Sequence, residues 1–362
     1  MMLRFRALFG IVVTITVAIC LHAQGTAAGK LRVYFIDVEG GQSTLFVTPA
    51  GKSLLIDTGW PDNNFRDADR IAAAAKSAGL SRIDYVLITH YHDDHVGGVP
   101  QLVQRIPVGA FIVHGPNREL DHGVTEHGYA AFQKVLADTK AKEIVAKPGD
   151  RLPIEGMDVT VISADGTVLQ KALPGGGEPN AFCKQSEIRT PDQTENARSL
   201  GVLIRFGDLK ILDLGDLTWD KERDLMCPNN RLGKVDVLVV SHHGWYQSSS
   251  PALVDAIHPR VAIMDNGAKK GGSIPTLDTV RNAPGLDALW QLHYSDEGGA
   301  THNTRSEYIA NLDGPDAGHD IELTASRDGS FTVHNSRTGL EKSYAAGKRA
   351  ASIGSMRPSS TR

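Results

Sequence analysis

Apolar and polar residues alternate from Leu31 to Val38, the period of a half-buried strand. Gly40-Gly41 breaks the run, Ser43 to Thr48 resumes it, and Pro49-Ala50-Gly51 turns the chain into a third run, Ser53 to Asp57. From Phe65 to Gly79 the period changes: an alanine-rich stretch closed by a glycine predicts a helix. Asp84 to Thr89 reads as a strand that leads directly into a histidine-rich segment.

The later half repeats this plan. Ser199 to Phe206 and Lys210 to Leu214 predict a hairpin, Lys221 to Met226 a helix, and Val235 to Val240 a strand that again ends in histidines, Ser241-His242-His243-Gly244. Two such halves packed sheet against sheet, with helices outside, give an α/β chain of four layers, an αββα sandwich. Their polar loops meet at one end of the sheets, where ligand sites form. Between the halves, residues 165–195 are rich in Gly, Pro and polar residues and read as a long insert forming a lid or rim. Residues 342–362 are rich in Ser, Ala and Arg and read as a disordered tail, which leaves residues 29–341 as the folded domain.

Composition changes this picture at the start of the chain. Arg4 and Arg6 precede an apolar run, Ala7 to Leu21, and small residues follow at Ala23 and Thr26-Ala27-Ala28. This is the order of a secretory signal peptide over residues 1–28, too short for a membrane span. The expectation is an exported protein, periplasmic or secreted, with no stable span in its mature form. Loss of those two arginines takes the net charge from −4 to −6, so no bulk nucleic-acid binding is expected. Cys183 and Cys227 would remain, and in an oxidising compartment they are either one disulfide or two buried thiols.

The chemistry concentrates in Thr89-His90-Tyr91-His92-Asp93-Asp94-His95-Val96-Gly97-Gly98. Imidazole and carboxylate are ligands for zinc and similar ions. His90 and His92 alternate along an extended segment and so face the same way. Asp94 and His95 turn toward a second ion, and Gly97-Gly98 lets the chain bend into a helix.

His-x-His-x-Asp-His followed by Gly-Gly after a strand resembles the metallo-β-lactamase superfamily. Phe35-Ile36-Asp37-Val38-Glu39-Gly40-Gly41-Gln42-Ser43 and Leu54-Leu55-Ile56-Asp57-Thr58-Gly59 fit the same pattern. Asn196-x-x-Ser199, Leu214-Gly215-Asp216 and Val237 to Gly244 make the chain most similar to the ComEC/Rec2-like branch, from about Leu31 to Val333. The resemblance implies that Asp216 bridges two divalent metal ions, expected as zinc with manganese as the alternative. It implies His242 or His243 as the last ligand of the second ion, with His242 favoured and His243 turned to substrate. Asp57 is expected to orient a ligand histidine. One departure is Asn196, 20 residues before Asp216 where many members carry a third histidine. An amide oxygen is a weaker ligand, so the first ion is expected to be loosely held or a harder ion. His114, His122 and His127 could in principle substitute, but they fall early in the chain, at the edge of the first half, and His122 and His127 read rather as rim residues.

Two further groups are candidate substrate contacts: Lys269 and Lys270 in a glycine-rich turn, and His293 at the end of a late strand. The expected function is hydrolysis by a hydroxide made at the metals, with Asp94 and His243 as catalytic groups and a phosphodiester or other phosphoester as substrate. Hydrolysis of a small-molecule lactone, thioester or β-lactam is the alternative. A metal-binding or iron redox protein without hydrolytic turnover is the third reading, kept open by Asn196.

Overall fold

The computed structural model describes residues 29–119, 125–312 and 316–347. The expected signal peptide, the tail beyond residue 347 and His122 lie outside the described residues. The first half supplies β1 (Leu31–Phe35), β2 (Thr44–Val47), β3 (Ser53–Ile56), α1 (Arg66–Ser77), β4 (Ile83–Leu87), α2 (Asp93–Val96), α3 (Val99–Leu102), β5 (Val108–Val113), α4 (Glu126–Thr139) and β6 (Lys142–Val145). The second half supplies β7 (Arg151–Leu152), β8 (Asp158–Ala164), β9 (Thr167–Val168), β10 (Gly201–Phe206), β11 (Leu209–Asp213), α5 (Trp219–Met226), β12 (Val237–Val239), α6 (Pro251–Ile257), β13 (Val261–Met264), α7 (Ile274–Arg281), β14 (Ala288–His293), α8 (Gly299–His302) and β15 (Ile309–Asn311). Three last strands, β16 (Ile321–Ala325), β17 (Phe331–Asn335) and β18 (Glu341–Tyr344), return to the first sheet.

The first sheet has the order β18-β17-β16-β1-β2-β3-β4-β5-β6, and the second β15-β14-β13-β12-β11-β10-β8-β7 with β9 on β8. In each sheet the strands near the histidine loops are parallel: β3 to β6 in one, β11 to β15 in the other. Strand alternation separates the layers. Val33 and Phe35 of β1 face the core between the sheets, where they join Ile204, Ile211, Val239 and Ile263 of the second sheet. Tyr34 and Ile36 turn outward to pack with Ile71 of α1 and Phe132 of α4. The far face of the second sheet is covered by Leu225 of α5, Leu253 of α6 and Leu277 of α7. Three apolar interfaces between four layers make the αββα sandwich.

The ordered chain runs past the expected tail boundary at Lys342. The β18 strand pairs with β17, and Tyr344 is buried, stacking on Phe331 with ring centroids 4.7 Å apart. Burial of one aromatic ring orders a segment whose neighbours are polar. The insert is likewise tied down. Cys183 and Cys227 form a disulfide that pins it to the end of α5, and Asn180 donates hydrogen bonds to the carbonyls of Met226 and Ala252. Among the described residues no helix is long and apolar enough to cross a membrane.

Candidate metal centre

Parallel strands in the two sheets end at the same edge, and the loops leaving β3, β4, β11, β12 and β13 meet there. Asp57 follows β3, the histidine motif follows β4, Asp216 follows β11, His242 and His243 follow β12, and residues 265–272 follow β13. Asp216 is the meeting point. Its Oδ2 lies 3.3 Å from His95 Nε2, 3.4 Å from His242 Nε2, 3.5 Å from His243 Nε2 and 3.9 Å from His90 Nε2. Gly215 puts it there: its φ is +55°, and a Cβ on it would come within 2.8 Å of Thr89. Only glycine lets the chain turn this close to the first histidine loop.

Two groups of donors flank Asp216. Asp94, His95, Asp216 and His243 offer one atom each, all within 4.8 Å of one another and all buried. On the other side His90 Nε2 and His92 Nδ1 are 3.0 Å apart. The nitrogens facing away from these groups are mostly engaged. His95 Nδ1 meets Asp57 Oδ2 at 2.6 Å, His92 Nε2 meets Glu119 Oε2 at 3.3 Å, His90 Nδ1 meets Thr89 Oγ1 at 3.1 Å and His242 Nδ1 meets Ser248 Oγ at 3.3 Å. Such outward partners fix the ring orientation and tautomer of a ligand histidine. Asp216 Oδ1 and Asn196 Oδ1 are buried without a hydrogen-bond partner among the described residues. Clustered imidazoles and carboxylates with an orphaned carboxylate oxygen fit divalent cations. They fit nothing that a neutral core would need.

The charges follow from this crowding. Burial pushes Asp94 up, but Lys270, His95 and His243 outweigh it and hold the carboxyl well below its ordinary range. Burial pushes His95 down, but Asp216, Asp94 and Asp57 hold it well above an ordinary histidine. Burial takes His242 down to about 4 against the pull of Asp216, so its ring is neutral at pH 7 and offers a lone pair.

The remaining candidates fall at different places around this cluster. His243, not the favoured His242, stands with Asp94 and His95: its Nε2 is 3.1 Å from Asp94 Oδ2. Both residues have left-handed φ, 57° and 54°, and such adjacent left-handed turns splay the two rings by 74°. Strand periodicity cannot foresee that. His293 does not enter the cluster; its Nε2 bonds Asp37 at 2.7 Å and lies 3.7 Å from Glu39. Lys269 and Lys270 line a cavity of about 300 Å³ with His242, His243, Trp245 and Gly271. The Lys270 ammonium contacts Asp94 Oδ2 and lies 4.9 Å from the centre of the Trp60 ring. His114 bonds Glu195 at 2.9 Å, and His127 is exposed. Asn196 is buried in a short 3-10 turn beside Glu195. Glu119, Ser248 and Asp265 went unnoticed in the sequence because nothing local marks them. Glu119 and Asp265 face histidines 27 and 22 residues away in sequence, and Ser248 meets His242 across a left-handed turn.

The sequence profile of the metallo-β-lactamase superfamily matches residues 37–177, which include the whole first histidine motif. Over that stretch the chain is similar to the metallo-β-lactamase superfamily. It is 37% identical over 98 residues to a hydroxyacylglutathione hydrolase of Klebsiella pneumoniae, 27% of this chain and 31% of that protein. It is 24% identical over 271 residues to ComE operon protein 3 of Bacillus subtilis, 68% of this chain and 29% of that protein. The chain thus spans about a third of the length of either relative. The solved structure of the metallo-β-lactamase fold protein YhfI from Bacillus subtilis is 13% identical, with a TM-score of 0.44, over 72% of this chain and 95% of that one. In the late half, the donors gathered at the cluster are Asp216 and His243, with His242 Nε2 also 3.4 Å from Asp216 Oδ2.

Proposed function

We propose that this chain is an exported hydrolase of the metallo-β-lactamase type, holding two divalent ions, expected as zinc, and acting on a phosphodiester or another anionic phosphoester. His90, His92 and Asp216 would hold the first ion, with Asn196 as a weak neutral ligand. Asp94, His95, His243 and Asp216 would hold the second. Divalent ions in this place supply Lewis acidity and lower the pKa of water. The protein's part is orientation: Asp57, Glu119 and Ser248 hold the rings, and the buried carboxylates of Asp94 and Asp216 aim their oxygens into the cluster. The tight cradle limits reorganisation as charge develops.

The observation that carries the phosphoester reading is the cationic wall. Lys269 and Lys270 face the cavity beside the metal-capable cluster, and Lys270 already meets an anionic oxygen, that of Asp94. An ammonium in that position can pass to a substrate oxygen as charge builds there. The disulfide supports export, since such bonds persist in oxidising compartments. Thioester hydrolysis is the second reading, favoured by the 37% identity to a protein named hydroxyacylglutathione hydrolase.

The test compares bis(nitrophenyl) phosphate, a nitrophenyl phosphomonoester, a neutral lactone, an acylglutathione and a cephalosporin on the zinc- or manganese-loaded protein. Phosphodiester turnover should exceed the rest. The double variant Lys269→Ala/Lys270→Ala should lower phosphodiester kcat/KM by on the order of tenfold, roughly 1.4 kcal/mol, with little change for the lactone. Equal losses on both substrates would make the lysines structural, and fast acylglutathione turnover beside a silent phosphodiester would establish the second reading.

A further inference from the structure

Two buried polar groups at the centre face one another without a partner. His243 Nδ1 is 1% exposed on its side chain and has no hydrogen bond among the described residues. The Asp265 carboxylate is 3% exposed, and neither of its oxygens has one. They stand 3.8 Å apart, Nδ1 to Oδ1. A buried polar atom left unpaired is costly, so a pair of orphans aimed at each other calls for a reason.

The first sheet supplies that reason. The β3 and β4 strands are parallel neighbours, with Ile56 beside Leu87; Asp57 follows β3, and its carboxylate backs His95 of α2, the helix after β4. The β12 and β13 strands are also parallel neighbours, with Val239 beside Ile263; Asp265 follows β13, and His243 lies in the loop after β12. In each sheet a carboxylate at the end of one parallel strand lies behind a histidine that follows the neighbouring strand, the later strand in the first sheet and the earlier one in the second. We infer that Asp265 is the positioning carboxylate of His243, the counterpart in the second sheet of Asp57 behind His95. This rests on the metal-centre reading and extends it to a residue outside the ligand set.

The rest of His243 is already held, which leaves its Nδ1 side to Asp265. Its backbone carbonyl accepts from Gly272 N at 2.8 Å, and Gly271, with φ +77°, passes so close that a Cβ there would sit 2.0 Å from that carbonyl. The main chain is therefore clamped, and the ring turns only about its side-chain bonds. Its Nε2 points to Asp94 and Asp216. Among the described residues its Nδ1 has no hydrogen bond and faces Asp265 Oδ1 at 3.8 Å, and closing that gap to hydrogen-bond distance takes a shift of about 1 Å. With the Nδ1 proton donated to Asp265, the ring is fixed in the tautomer that leaves the Nε2 lone pair free, and the anion behind it raises its donor strength.

The test is metal binding by the metal-free mature protein, titrated with zinc against a chromophoric chelator and with cobalt followed by its visible spectrum. Asp265→Ala should weaken the second ion by roughly 10- to 100-fold and leave the first within a few-fold. Asp265→Asn, whose Oδ1 can accept the same bond, should recover most of that loss. Metal-free Asp265→Asn should melt at or above wild type, because an unpaired buried carboxylate has gone. Unchanged second-ion affinity in Asp265→Ala would overturn the inference. So would a loss that Asp265→Asn does not relieve and that comes with lower melting of both metal-free variants, since Asp265 would then serve the fold alone. Wild-type protein that takes up no second ion would be a separate result, seen before any variant is made, and would overturn the metal-centre reading with this inference.

Discussion

The two histidine loops are built on the same plan and finished differently. In the first, His90, His92 and His95 come off a short extended segment that enters α2, and the outward nitrogen of each has a partner within 3.3 Å. In the second, two adjacent histidines sit in left-handed turns, and the one aimed into the cluster has only a carboxylate 3.8 Å behind it. The first loop is assembled by the protein's own hydrogen bonds. The second is held by backbone clamps from residues 271 and 272, and its ring geometry is left to be completed by what binds. Strand and loop periodicity suffices to place ligands in the first case. In the second, the turn conformation decides which histidine points where.

That contrast can be broken most sharply by exchanging the roles of the neighbours. His243→Ala should abolish tight binding of the second ion, because it removes one of the four clustered donors, whereas His242→Ala should leave that ion in place. Metal stoichiometry by native mass spectrometry separates the two variants. A second ion lost from His242→Ala and kept in His243→Ala would reverse the assignment. A smaller effect is expected at Asn196. Asn196→His should tighten the first ion, since imidazole is the stronger ligand, with the second ion unchanged. Competition titration measures it, and unchanged first-ion affinity would place residue 196 outside the centre.

Much of this was readable from the chain. The strands before each histidine loop, the helix after β3 and the four-layer arrangement follow from the alternation of apolar residues and its change of period. His90, His92, Asp94 and His95 are close in sequence, so their chemistry shows as a motif. Asp216 and Asp57 were legible only through resemblance to a family. The return of β16 to β18 into the first sheet was not foreseen, because short strands carry the same pattern whichever sheet receives them. Lys270 was legible as a candidate substrate contact, but its place against Asp94, 176 residues away in sequence, was not. Glu119 and Asp265 are single carboxylates in polar loops. Their meaning comes from burial and from a histidine brought to them by the fold, and neither is a property of the local sequence.

The central claim is that both halves converge on one shared carboxylate, that of Asp216. The most direct test is the metal content of the purified protein after reconstitution with zinc or manganese and removal of excess ion, compared with Asp216→Ala. The account predicts up to two ions per chain in wild type and reduced occupancy of both in the variant, with its metal-free fold intact by circular dichroism. An Asp216→Ala protein that keeps its full metal content would contradict it.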